Sequence, residues 1–245
     1  MLNKAFSLID LFETNRELGL SEVVRLTGLP KATAYRLLCT LEAHGFLTKT
    51  VDRVYRLGLR FLRLGAQVAE RLDVRHLAFP HMRSLRDQTG QSVQLVVIDG
   101  NEGVYVERVE GTTAVRLYIA VGRRAPLYAG ASTRLLLAHC SPERQAAILA
   151  ANPPVQHTEA TITDPVQLRR SLEQTRVQGW AVSIGELQPG SGEMAAPIFD
   201  HRGQVVAALS IAGPDQQYGP EQIQGYLPVL MAAAIAISRE MGYCQ

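Results

Sequence analysis

The chain has 245 residues, 47% of them hydrophobic, and a net charge of only +2 from 25 basic and 23 acidic side chains. These values exclude a disordered polyelectrolyte or a protein that coats polyanions at large, and they suit two domains of unequal size, each with a buried core. No apolar run is long enough to cross a bilayer, the N-terminus has no signal-peptide pattern, and Cys39, Cys140 and Cys244 lack metal-ligand spacing. The expectation is a cytoplasmic protein without a membrane span, a metal or a cofactor.

Residues 2–14 read as an amphipathic helix with Leu2, Phe6, Ile9 and Phe12, or nearby apolar residues, turned inward, ended by Gly19. Ser21 reads as the N-cap of a second helix that Gly28 stops. Pro30 suits the first turn of a third helix, which His44-Gly45 closes. In that third helix Ala34, Leu37, Leu38 and Leu41 fall at i, i+3, i+4 and i+7 and form a core-facing stripe. Its other face and leading end carry Lys31, Thr33, Tyr35 and Arg36, side chains able to bond phosphates and base edges. Phe46–Thr48 and Val54–Leu57 then alternate in period two around the polar turn 49–53. Two helices joined by a tight turn and followed by a hairpin make a winged helix-turn-helix, which reads as DNA-binding.

Charge placement agrees with that reading. Residues 31–60 hold six basic side chains (Lys31, Arg36, Lys49, Arg53, Arg56, Arg60) against Glu42 and Asp52, so the basic excess sits where phosphates would be met. The expected DNA contacts are Lys31, Thr33, Tyr35 and Arg36 from the recognition helix, Ser21 from the second helix and Arg53 near the wing tip. Tyr35 has a second reading as a packing residue against the first helix.

From residue 58 to about 72 a helical pattern resumes, with Arg on its outer face. It reads as a connecting helix and dimerisation surface, or else as the first helix of the second domain. The domain boundaries expected are therefore 1–58, 59–73 and 74–245. Beyond lie a helix over 75–89, strands over 92–98, 103–109 and 114–120, helices over 130–140, 142–150 and 164–178, strands over 192–199 and 204–212, and a last helix over 220–241. The pattern is α+β, and long antiparallel ribbons with helices on one face describe a GAF/PAS-like domain.

An enzyme fits poorly. The six histidines form no HxH, HExxH or His/Cys cluster, Gly190-Ser191-Gly192 lacks the nucleophile-elbow frame, and no glycine-rich phosphate loop follows a strand. The expectation is no catalytic residue. A DNA-binding protein whose C-terminal domain only oligomerises is the alternative to one that also senses a ligand.

The whole chain resembles the isocitrate-lyase-regulator (IclR) family of bacterial transcription regulators. The matching blocks are LSEVVRLTGLPKATAYRLLCTLEAHGFL with YRLG, then QSVQLVVIDGNEGVYVERVEG, VGRRAPLYAGAS, TITDP and AAPIFDHRGQVVAALSIAGP, in the family's order. The resemblance implies a homodimer, commonly a homotetramer, on a pseudo-palindromic DNA operator. It also implies a C-terminal domain that binds a small-molecule effector, typically an organic acid or aromatic catabolite, and acts as repressor or activator. By position in the family's motifs, the effector site falls on Gly130 and Ala131, whose free backbone N–H groups could hold a carboxylate, and on Ser183, Leu187, Glu193 and Ser210. Three positions depart from the family pattern: Ser183-Ile184-Gly185-Glu186 replaces an acidic run, Glu193 stands where several relatives have cysteine, and Ala212 replaces a second serine. Glu193 either faces the pocket, where it would repel a small dianion and favour a neutral, amino- or amide-bearing ligand, or points to solvent from the strand end.

Overall fold

A computed structural model describes residues 2–70, 73–112 and 119–243. The chain divides into two compact units, Met1–Arg71 and Leu72–Gln245.

The first unit runs α1 (Leu2–Thr14), α2 (Leu20–Thr27), α3 (Lys31–Ala43), β1 (Leu47–Lys49), β2 (Tyr55–Leu57) and α4 (Leu59–Glu70). Its core joins Leu8 and Phe12 of α1 to Val23, Ala34, Leu37, Leu38, Leu41, Leu47 and Tyr55. The stripe predicted on α3 is therefore the buried one. On α1 the reading holds for Phe12 and Ile9 and is corrected for the rest: the helix is apolar on two sides, the neighbouring Leu8 turns inward, and Leu2 and Phe6 are exposed. Gly28 stops α2 at φ 67°, with its N–H on the Val24 carbonyl, as the left-handed cap requires. Antiparallel β1 and β2 form the wing hairpin, and Leu18 adds a bridge to Tyr55 through two backbone hydrogen bonds of 3.0 and 2.9 Å.

The second unit starts with α5 (Asp73–Thr89), β3 (Ser92–Asp99), β4 (Glu102–Val109), β5 (Arg124–Pro126) and α6 (Ala131–Ala138). It continues with α7 (Pro142–Ala151), α8 (Pro165–Gln178), β6 (Ala181–Ile184), β7 (Ser191–Phe199), β8 (Val205–Pro214), a 3-10 turn over Asp215–Gln217, and α9 (Pro220–Glu240). One antiparallel sheet has the order β5-β4-β3-β8-β7-β6. The predicted strand over 114–120 lies mostly outside the described residues.

Helices cover both faces of this sheet, not one. Val93, Leu95, Met194, Ala196, Ile198, Leu209 and Ile211 face α5 and α9 in one core layer. The alternate residues Val96, Ala181, Ala195 and Ala208 face α6 and α8 in the other. Period two thus assigns every central strand residue to a layer. A bulge at Leu95/Val96 lets both Glu107 and Tyr105 pair across to β3 and leaves the Tyr105 ring in the α6 layer. All eight residues of α6 are buried, including Ser132, Thr133 and Arg134. A helix so enclosed must find internal partners for those polar groups, and this positions the candidate site.

Candidate functional site

Two surfaces carry recognition chemistry, one in each unit. In the first, Lys31, Tyr35 and Arg36 are exposed on α3 and Thr33 is half-buried, opposite the apolar stripe. Tyr35 is 49% exposed, which rules against a packing role on α1. Its phenol is held above the ordinary range by the neighbouring Cys39 thiol, so it remains a hydrogen-bond donor. Ser21 is not an N-cap. Helix α2 begins one residue earlier, at Leu20, because the Gly19 N–H at the helix entry donates to Glu22 Oε2 at 2.7 Å. The Ser21 hydroxyl is thereby left exposed on the first turn. Pro30 likewise precedes the first helical residue, Lys31, instead of sitting within the turn.

Arg53 stands in the wing turn, fully on the surface, with φ 59°. Left-handed backbone costs a side-chain-bearing residue about 1–2 kcal/mol relative to glycine. Arg60, counted with the basic cluster in the sequence, serves the fold instead: its Nη1 donates to the His44 carbonyl at 2.8 Å and its guanidinium covers the Phe46 ring at 4.6 Å.

The second surface is a cleft of about 380 Å³, including its open mouth, lined by Tyr105, Ile119, Arg123, Gly130, Ser183, Leu187, Ser191, Gly192, Glu193 and Ala212. Of the predicted effector residues, Gly130, Ser183, Leu187 and Glu193 line it. Ala131 stands behind Glu193. Ser210 sits deeper on the same sheet face, opposite Gln94 on β3 and Ala195 on β7. Gly130 turns into α6 at φ 91°, and a Cβ there would fall 2.9 Å from Leu187 Cδ1 and 3.4 Å from Glu193 Oε2. Only glycine allows that approach.

The backbone N–H groups read as free at the start of α6 are occupied. The Gly130 N–H donates to Glu186 Oε2 at 3.1 Å and the Ala131 N–H to Glu193 Oε2 at 2.8 Å. Both carboxylates sit at the positive end of the helix dipole, where an external anion would otherwise be held. Glu186 also forms a buried ion pair with Arg134, whose Nη1 donates to both carboxylate oxygens while its Nη2 donates to the Val182 carbonyl. Glu193, in contrast, points into the cleft, and its Oε1 is buried with no partner among the described residues. The solvent-facing alternative for this side chain is excluded.

Other polar atoms on the α6 face share that condition. The Gln94 amide and Ser210 Oγ are buried and have no partner among the described residues. Such groups are costly to leave unsatisfied, and Gln94 and Ser210 face each other across β3 and β8 on the α6 side of the sheet. Burial and, second, the Glu193 charge push the Tyr105 phenol well above its ordinary range. Tyr218 on the far side of Gly192 is raised by burial, then by Glu193 and Tyr226. Both stay protonated at any physiological pH. Sequence reasoning missed Gln94, Tyr105, Arg123 and Glu186. The signals available were an amide within the apolar run 93–98 and an arginine, Arg134, within the apolar helix that Glu186 serves.

Residues 1–50 match the family described as the IclR helix-turn-helix domain, and residues 66–239 match the bacterial transcriptional regulator IclR C-terminal family. The HTH-type transcriptional regulator KipR of Bacillus subtilis is 41% identical over 240 residues, covering 98% of this chain and 96% of KipR. The chain belongs to the IclR family. The crystal structure of the Thermotoga maritima IclR superimposes with a TM-score of 0.82 at 33% identity, covering 99% of this chain and 98% of the other. An IclR homologue from Microbacterium hydrocarbonoxydans, crystallised in complex with 4-hydroxybenzoate, gives a TM-score of 0.86 at 29% identity, with 98% of both chains covered. The curated relatives are named transcriptional regulators, which makes this chain an IclR-type regulator of transcription. Among the described residues no helix is long and apolar enough to cross a membrane.

Proposed function

We propose that this IclR-type regulator binds a two-fold DNA operator through α3 and the wing, and that a small molecule in the cleft beside α6 sets its affinity for that operator. The observation that carries the first half is the exposed row Lys31, Tyr35 and Arg36 on the side of α3 opposite its buried stripe. Arg36 reads a base edge, and Lys31, Thr33 and Tyr35 combine groove and phosphate contacts. The exposed Ser21 hydroxyl and Arg53 hold the backbone. An arginine held in left-handed backbone in the wing turn agrees with a functional side chain there.

The second half rests on the unpaired buried oxygen of Glu193 in the cleft, with the unpaired Gln94 and Ser210 on the same sheet face. Gly130, Ala131, Ser183 and Leu187 shape that site. The Microbacterium homologue with 4-hydroxybenzoate lends weight to ligand binding as a property shared across the fold. Two copies form the working unit. Leu2 and Phe6 on α1 and Leu59 and Leu62 on α4 are exposed apolar side chains of the kind a second copy covers. A homodimer, and from it a homotetramer, places two recognition helices on one operator. Helix α4 is the route by which ligand changes their spacing. The reading needs neither a cofactor nor a catalytic residue, and its place of work is the cytoplasm.

The test is binding to duplex DNA from upstream of the chain's own gene against a scrambled duplex at physiological salt, for wild type and Arg36→Ala. A specific regulator prefers its site by about a thousandfold or more, and Arg36→Ala erodes that preference. Weak, salt-sensitive and equal binding to every duplex, with or without candidate effectors, would remove the reading.

A further inference from the structure

We propose that the ligand of the α6 cleft is a zwitterion of the amino-acid class, its ammonium group on Glu193 and its carboxylate on Arg123. The inference rests on the cleft being the effector site and adds the chemistry of what enters it.

Glu193 sets the first requirement. Its Oε2 is tied to the Ala131 N–H at 2.8 Å, which fixes the carboxylate in one orientation. Its Oε1 is buried, faces the cleft and has no partner among the described residues. A carboxylate accepts and never donates, so the missing partner is a donor, and a cationic donor answers the charge as well as the hydrogen bond. Anions are repelled from the same position. The protein's own carboxylate already occupies the helix terminus that would otherwise attract an acid.

Arg123 sets the second. It is half-buried in the cleft wall, where its backbone carbonyl accepts the Tyr105 N–H at 3.0 Å. Its guanidinium has no ion-pair partner among the described residues, and it does not close onto Glu193 although both line the cleft. The wall thus holds one negative and one positive group apart, and a molecule carrying both charges compensates each without leaving either unpaired. The tyrosines near Glu193 remain protonated and supply no cation.

The experiment is a thermal-shift screen of the full-length protein, followed by calorimetry. The probes are the common α-, β- and γ-amino acids, the matching hydroxy acids, the matching plain carboxylates and dicarboxylates, the matching amines without a carboxylate, and 4-hydroxybenzoate. A ligand raises the melting temperature because it binds only the native state. The expected result is stabilisation by at least one amino acid, with its hydroxy-acid and amine counterparts weaker by about tenfold or more. Glu193→Gln should remove the preference for the ammonium group, and Arg123→Gln should remove the preference for the carboxylate. Circular dichroism and a cooperative melt verify that each variant folds, and either variant alone suffices as a test. Equal or tighter binding of a hydroxy acid, plain carboxylate, dicarboxylate or 4-hydroxybenzoate to wild type would overturn the zwitterion while sparing the effector site. Silence of the entire panel would count against the effector site itself, and the zwitterion with it.

Discussion

The two recognition surfaces are built in opposite ways. The recognition helix keeps its chemistry outside: an apolar stripe of Ala34, Leu37, Leu38 and Leu41 is buried, and Lys31, Tyr35 and Arg36 remain in water on thirteen consecutive residues. The cleft keeps its chemistry inside and assembles it from Tyr105 on β4, Arg123 before β5, Gly130 at the start of α6, Ser183 on β6 and Glu193 on β7. A surface built from one local element loses little when a side chain is removed, because water replaces the lost partner. A buried network loses far more, because water cannot reach the group left behind.

Glu186→Ala is the strongest way to break that contrast. It strands the Arg134 guanidinium, 4% exposed, against α6, and removing one partner of a buried pair costs about 3–5 kcal/mol. Urea denaturation of the full chain should show that loss in the transition of the second unit. A loss below about 1 kcal/mol would mean the pair is no more than a surface bridge.

Arg36→Ala should leave stability unchanged and cost about 1–3 kcal/mol of operator affinity, confined to one base position in each half-site. Competition binding with single-base operator variants measures this. Equal weakening on all sequences would recast Arg36 as a phosphate contact.

Arg53→Ala should weaken specific and scrambled duplexes alike and lower the slope of log affinity against log salt by about 1 per protomer. Arg53→Gly should repeat that loss while raising the stability of the winged unit by up to about 1 kcal/mol, since glycine accepts φ 59° without strain. The smallest effect thus separates backbone strain from side-chain contact at one residue.

The same contrast explains what was legible in the sequence. Helices α1 and α3 could be drawn from periodicity and punctuation, and the hairpin turns at 99–103 and 200–203 from their Asp and Gly residues, because each signal is local. Inward and outward sides of α1 were not, since apolar residues flank it on both sides and only packing into the core shared with α2, α3 and the wing chooses Leu8 and Phe12 over Leu2 and Phe6. Strands β5 and β6 are three and four residues long, too short for alternation to declare itself. In the cleft, family resemblance led to Gly130, Ser183, Leu187 and Glu193. The direction of Glu193 depended on the register that sets it opposite Ser183 and Ala212. Nothing local in the sequence tells that the α6 terminus is already filled by two carboxylates from residues 186 and 193.

Coupling between DNA binding and the cleft can be cut by a single substitution. Proline at Ala66, inside α4, breaks the backbone ladder of that helix. It should leave DNA binding and ligand binding in place and abolish the effect of one on the other. The most direct measurement is operator affinity of the full-length wild type with and without a saturating amino acid that stabilises it. Operator affinity should change by about 5- to 150-fold, in either direction, corresponding to about 1–3 kcal/mol of coupling. An operator affinity that stays the same while the cleft is demonstrably occupied would contradict it.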